Sequence, residues 1–123
     1  MARYITLSTA STLLRIPPER LMYIEAEGNY STIHVQGGPP RLVPFQLGAI
    51  AQIIYDQIGE EETPFLRVGR SLIVNKDFIF AIDIPDQSIT ISDCIGQYHV
   101  LQASRKVLTD IKSYLERTDH EPL

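Results

Sequence analysis

The sequence predicts a strand-rich α+β fold of mostly antiparallel sheets with two short helices, and three patterns carry that expectation. A Gly-Asn turn joins two β-type runs, an apolar stripe of helical period occurs twice, and an alternating apolar run follows a Pro-Asp-Gln turn.

The first hairpin spans Leu21 to Val35, where Gly28-Asn29 supplies the residues that tolerate positive φ. Gly37-Gly38-Pro39-Pro40 ends that pair, and Arg41-Leu42-Val43 begins another extended piece. Leu47, Ile50, Ala51, Ile54 and Ile58 then fall on one helical face, which Gly59 and the acids behind it terminate. Phe65 to Val68 resumes as a strand. Phe78 to Ile84 and Ser88 to Ser92 flank Pro85-Asp86-Gln87 as a second hairpin, with Ile89 and Ile91 alternating against Thr90 and Ser92. Ser104 is placed to cap a last helix whose stripe is Val107, Leu108, Ile111, Tyr114 and Leu115. The expected core collects Val68, Leu72, Ile73, Val74, Ile79, Ile89, Ile91, Val107, Ile111 and Leu115, because these carry the strand and helix periodicities.

At 123 residues, 44% hydrophobic and 21% charged, the chain has the size and balance of a single globular domain spanning 1–123. No apolar run approaches the ~20 residues of a membrane span, and no basic start leads into an apolar stretch, which predicts a cytoplasmic protein. The lone Cys94 has no partner for an internal disulfide or a CxxC pair and reads as structural. His34, His99 and His120 lie far apart without metal-ligand spacing, so each reads as a surface or satisfied histidine. Neither GxxxxGK[ST] nor GxGxxG occurs, and Glu25 with Glu27 reads as a solvated strand edge rather than a carboxylate pair. The expectation is a protein without enzymatic activity, cofactor, metal or small-molecule substrate.

A net charge of -4 opposes nucleic-acid binding in total, but its distribution does not. Asp56 to Glu62 carries four acids and no base, and the tail from Glu116 to Glu121 sets three acids against Arg117. Pro64 to Lys76 carries Arg67, Arg70 and Lys76 without an acid, and Gly96 to Thr109 carries Arg105 and Lys106 without one. Two stretches are therefore locally basic.

Three segments in order, Tyr23-Ile-Glu-Ala-Glu-Gly-Asn-Tyr30, Phe65-Leu-Arg-Val-Gly-Arg-Ser-Leu-Ile-Val-Asn75 and Ala103-Ser-Arg105, resemble the LytTR family of bacterial response-regulator output domains. The resemblance runs from about Leu13 to Leu115. It implies an elongated, mostly antiparallel fold in which loop and strand-end side chains enter successive major grooves of double-stranded DNA at repeated sites. It also implies transcription regulation, a homodimer on DNA and a separate sensor or membrane regulator. No receiver domain is expected ahead of Met1, and Gly69 stands where many family members carry His.

Carried over by position, the resemblance makes Asn29, Tyr30 and Ser31 a first contact region, Arg70 a second, and Arg105 with Lys106 a third. The two basic stretches coincide with the latter two, and arginine suits the guanine edge while lysine serves phosphate as a point charge. Arg67, Gly69, Ser71, Asn75, Lys76 and Ser104 complete the candidate DNA-binding set. Each has a plainer reading. Arg70 could pair with a surface acid, Asn75 could bond its own turn, Tyr30 could belong to the core, and Ser71 and Ser104 could cap helices. A protein-interaction module of the same fold, without DNA binding, is the alternative function.

Overall fold

The computed structural model describes residues 3–59 and 63–119. Glu60, Glu61 and Glu62 of the acidic run, and His120 with Glu121 of the tail, lie outside the described residues. Contacts divide the chain into two compact units, Met1–Asp77 and Phe78–Leu123.

The first unit opens with a hairpin of β1 (Ile5–Ser8) and β2 (Leu13–Ile16), which pairs Leu7 with Leu14 and Ile5 with Ile16. The Thr9 hydroxyl accepts from the Thr12 N–H at 3.0 Å, so a threonine builds this turn without glycine or proline. A 3-10 turn at Pro18–Arg20 leads into β3 (Leu21–Glu27), which pairs with β4 (Tyr30–Val35) across the expected two-residue turn. Gly28 there has φ 64, the left-handed value such a turn requires. β5 (Arg41–Val43) flanks β4, α1 (Leu47–Ile58) follows, and β6 (Phe65–Val68) and β7 (Leu72–Asn75) close the unit. The sheet order is β5-β4-β3-β7-β6, antiparallel throughout.

The helical stripe buries Leu47, Ile50, Ile54 and Ile58 in one cluster with Ile24, Ile33, Val43 and Ile73 of the sheet and Ile5, Leu7 and Ile16 of the first hairpin. Full burial of each such side chain is worth about 1.5–3 kcal/mol. Gly59 ends α1 at φ 92, where its N–H bonds the Tyr55 carbonyl. All four residues of β7 are buried, so Leu72-Ile73-Val74 shows an unbroken apolar run instead of alternation.

In the second unit β8 (Ile79–Asp83), β9 (Ser88–Ser92) and β10 (Tyr98–Gln102) form an antiparallel sheet in the order β10-β9-β8, and α2 (Arg105–Thr118) contacts β8. This unit buries Phe78, Ile89, Ile91, Leu101, Leu108 and Ile111. Of the ten expected core positions, Val68, Leu72, Ile73 and Val74 are buried in the first unit and Ile89, Ile91 and Ile111 in the second, while Ile79, Val107 and Leu115 are half-buried.

Cys94 is exposed and occupies a turn position at φ 66 between β9 and β10. The Asp93 carboxylate organises that turn by accepting from the Ile95 and Gln97 N–H groups, each at 2.9 Å. Those two bonds, the one from Gln97 foremost, hold the carboxyl below its ordinary range. Among the described residues no helix is long and apolar enough to cross a membrane.

Candidate nucleic-acid interface

Pairing of β3 with β7 creates the main feature of the first unit. Glu25 lies opposite Leu72, and the Ala26 N–H donates to the Ser71 carbonyl at 2.8 Å. The Gly28-Asn29 turn and the Gly69-Arg70-Ser71 turn therefore emerge at the same end of the sheet. Val43 at the end of β5 pairs with Ser31, so Pro44, Phe45 and Gln46 leave the sheet at this end as well, and α1 begins there.

Asn29 and Tyr30 are exposed at the first turn, Tyr30 by 48%. The core reading of Tyr30 therefore fails: with Ile33 buried, strand alternation turns Ser31 inward and Tyr30 outward. Ser31 is correspondingly 0% exposed, and its hydroxyl donates to the Phe45 carbonyl at 2.8 Å. A base contact is denied to it, because it has no surface to offer.

At the second turn Gly69, Arg70 and Ser71 are all exposed, and Gly69 has φ 66. Ser71 belongs to the β6–β7 connection and caps no helix. Arg67, also exposed, reaches the Arg70 carbonyl with its guanidinium at 3.5 Å, the long limit of a hydrogen bond. Asn75 departs from the candidate set. It is 1% exposed, donates from Nδ2 to the Leu21 carbonyl at 2.9 Å and accepts the Asp77 N–H at 2.9 Å. Lys76 follows it at the far end of β7, and at ~3.3 Å per residue the strand separates both from the turn. The long motif thus presents only its middle.

In the second unit Ser104 caps α2, its hydroxyl accepting from the Val107 N–H at 3.4 Å. Arg105 and Lys106 are exposed in the first helical turn, which contains no acid. The helix start is tied to the β8–β9 turn by a bond from the Ala103 N–H to the Gln87 carbonyl at 3.0 Å. Lys106 Nζ lies 3.3 Å from Asp110 Oδ2, an exposed pair of the kind that contributes little. Exposed backbone donors and cations at a helix N-terminus suit an anionic partner.

The model of the LytTr DNA-binding domain matches residues 11–116. The chain belongs to the LytTR family. LytTR domains bind DNA and serve transcription regulation. A solved LytTr DNA-binding domain from Bacillus cereus, described as part of a methyl-accepting/DNA response regulator, shares the fold with a TM-score of 0.61 at 20% identity. The alignment covers 94% of this chain and 98% of that one. No curated protein sequence matches.

One feature of this LytTR domain lay outside the sequence reading. Gln46, exposed just ahead of α1, donates from Nε2 to Asn29 Oδ1 at 3.1 Å. Glu27 is exposed beside the first turn, solvated as expected, and its charge there opposes phosphate. The edge reading fails for Glu25: β3 is the central strand of the five-stranded sheet, and Glu25 is half-buried at 3.0 Å from His34 Nε2. The His34 ring stacks on Tyr23 at 4.1 Å. Burial, and then the Glu25 charge, push the Tyr23 phenol up to about 12. Among the described residues no three His, Cys, Asp or Glu side chains gather as a metal site.

Proposed function

We propose that this LytTR domain regulates transcription by sequence-specific binding of double-stranded DNA, with loop side chains entering successive major grooves. The observation that carries the reading is the convergence of the Gly28–Tyr30 and Gly69–Ser71 segments at one end of the five-stranded sheet, enforced by the β3–β7 pairing. Asn29, Tyr30, Arg70 and Ser71 are the contacts of the first unit, with Arg67 and Gly69 beside them. Ser104, Arg105 and Lys106 are those of the second. Arg70 and Arg105 read base edges, since guanidinium is matched to guanine O6 and N7, while Lys106 and the α2 amides hold phosphate. Two copies on direct repeats about one helical turn apart would lie on one DNA face. A separate sensor or membrane regulator supplies the input.

Fluorescence anisotropy with the upstream region of its own gene and with a scrambled duplex, at low and moderate salt, tests the reading. Tighter binding to the upstream region at both salt concentrations supports it. Equal binding to both duplexes, or none at low salt, overturns it and leaves the second reading, a protein-interaction module of the same fold. That alternative is favoured by a net charge of -4 and by Glu27 beside the first turn.

A further inference from the structure

We propose that Gln46 sets the base preference of the first turn by locking the Asn29 amide in the orientation that reads adenine. The inference rests on the DNA-binding reading above and names a positioning residue within that site.

Asn29 sits in the two-residue turn between β3 and β4, exposed at the end of the sheet. Gln46 occupies the capping position of α1, yet its side chain makes no capping bond. It donates instead to Asn29 Oδ1 at 3.1 Å. A second tie holds the same two segments together: the buried Ser31 hydroxyl donates to the carbonyl of Phe45, one residue ahead of Gln46, at 2.8 Å. The reach of Gln46 toward Asn29 is thus fixed from beneath by a closed hydrogen bond.

The chemistry follows from the two ends of a primary amide. A solvated asparagine can turn its amide over and exchange the positions of oxygen and nitrogen. In the orientation that accepts from adenine N6–H through Oδ1 and donates to N7 through Nδ2, it pairs bidentately with adenine. Guanine presents acceptors at both N7 and O6, so the same orientation sets Oδ1 against O6. In the observed arrangement the Gln46 N–H faces Oδ1, and while that bond is kept the Asn29 amide holds one orientation before DNA arrives. A carbonyl oxygen accepts two bonds, so Oδ1 keeps a second lone pair and Nδ2 keeps its donors for the base edge.

The test is selection of a randomised duplex pool by the wild-type chain and by Gln46→Ala, Gln46→Glu and Gln46→Lys. Anisotropy on the selected duplex and its single-base variants then measures the preference. Asn29→Ala marks the base pair concerned. The wild type should bind at least about tenfold more tightly with adenine there than with guanine. Gln46→Ala and Gln46→Glu should reduce that ratio to about twofold or less, neither being able to donate to Oδ1. Gln46→Lys should keep the ratio, because its ammonium still donates, while binding every duplex more tightly. A merely structural role would not separate lysine from alanine and glutamate in this way. An adenine preference that survives Gln46→Ala, or one that Gln46→Lys loses as fully as alanine does, overturns the inference and leaves DNA binding intact. A wild-type chain that selects no sequence overturns the DNA-binding reading itself.

Discussion

The N–H of Ala26 donates to the carbonyl of Ser71 at 2.8 Å, one step beyond the last paired residues of β3 and β7, Glu25 and Leu72. These two residues come from different hairpins, and their bond turns two separate sequence motifs into one surface. The stiffness of a sheet interior is thereby lent to a pair of turns. Contact residues held this way lose little freedom on binding, which favours specificity over mere attraction.

Arg70 occupies the second of those turns, and Arg105 the first turn of α2. Replacing either by alanine should remove about 1–3 kcal/mol of discrimination between the preferred duplex and random DNA. Lys106→Ala should weaken both duplexes alike, as loss of a phosphate contact does. Lys76→Ala, at the far end of β7, should leave the salt dependence of binding unchanged. Anisotropy titrations of the four variants on both duplexes check the set, and a loss of salt slope in Lys76→Ala would return that residue to the interface.

Glu27 is an uncompensated feature of the first turn. Its exposed carboxylate should repel the DNA backbone without regard to sequence, so Glu27→Gln should tighten binding to specific and random duplexes equally. The gain should be a few-fold at low salt, consistent with the ~0.2–1 kcal/mol typical of an exposed charge interaction, and should shrink as salt rises. A gain confined to the preferred duplex would instead make Glu27 a reader of bases.

Asn75 should behave as a structural residue. Asn75→Ala leaves the Leu21 carbonyl without its buried donor, at a cost of about 1–3 kcal/mol. Asn75→Asp should cost more at neutral pH, because a carboxylate then faces that carbonyl oxygen. Urea denaturation midpoints measure both. Base preference at the selected site should be untouched in whatever fraction remains folded.

Local order was legible in the sequence wherever turn chemistry and periodicity spoke together. Gly28-Asn29, the α1 stripe ending at Gly59, the Pro85-Asp86-Gln87 turn and the Ser104 cap all lie where those signals place them. The β1–β2 hairpin was not legible, because its strands have four residues each and its turn is built by Thr9 without glycine or proline. Strand β10 escaped because Tyr98 and Val100 are apolar yet exposed, which blurs the alternation around Leu101. The site was half legible. Motif matching assigned neighbouring residues a common role, but a strand separates neighbours: Ser31 turns inward from Tyr30, and β7 carries Asn75 away from Arg70. Gln46 gave no signal at all, since its bond to Asn29 depends on the β4–β5 pairing.

Tyr23 makes the fold sensitive to alkali. Its phenol is pushed up to about 12 from the model-peptide value near 10, so the neutral form is favoured in the native state. Native and unfolded chains bind this proton equally below the unfolded value. As pH climbs from about 10 toward 12 the unfolded chain ionises first, and the stability held by the neutral phenol is lost across that window. Difference absorbance at 295 nm between wild type and Tyr23→Phe should show a phenol titrating near about 12. Denaturation midpoints should fall more steeply over this range in the wild type than in Tyr23→Phe. A difference midpoint near 10 would mean that Tyr23 is solvated.

Gly69 sits beside Arg70 at φ 66, and a Cβ built on it meets no atom within 4 Å. A larger side chain would therefore find room but would have to adopt the left-handed backbone, at about 1–2 kcal/mol for a residue other than glycine. Gly69→His should accordingly lower stability by about that amount, with the ring projecting from the same turn that carries Arg70. Protonated or donating to a phosphate, the imidazole should raise affinity for all duplexes and steepen log K against log salt by about 0.9 per phosphate engaged. The two effects are read by different instruments, urea denaturation for the first and a salt titration of binding for the second. Loss of stability together with a steeper slope places this turn against the DNA backbone. Loss of stability with an unchanged slope means that the imidazole reaches no phosphate, and weaker binding to every duplex would show that the turn needs the closer backbone approach glycine permits.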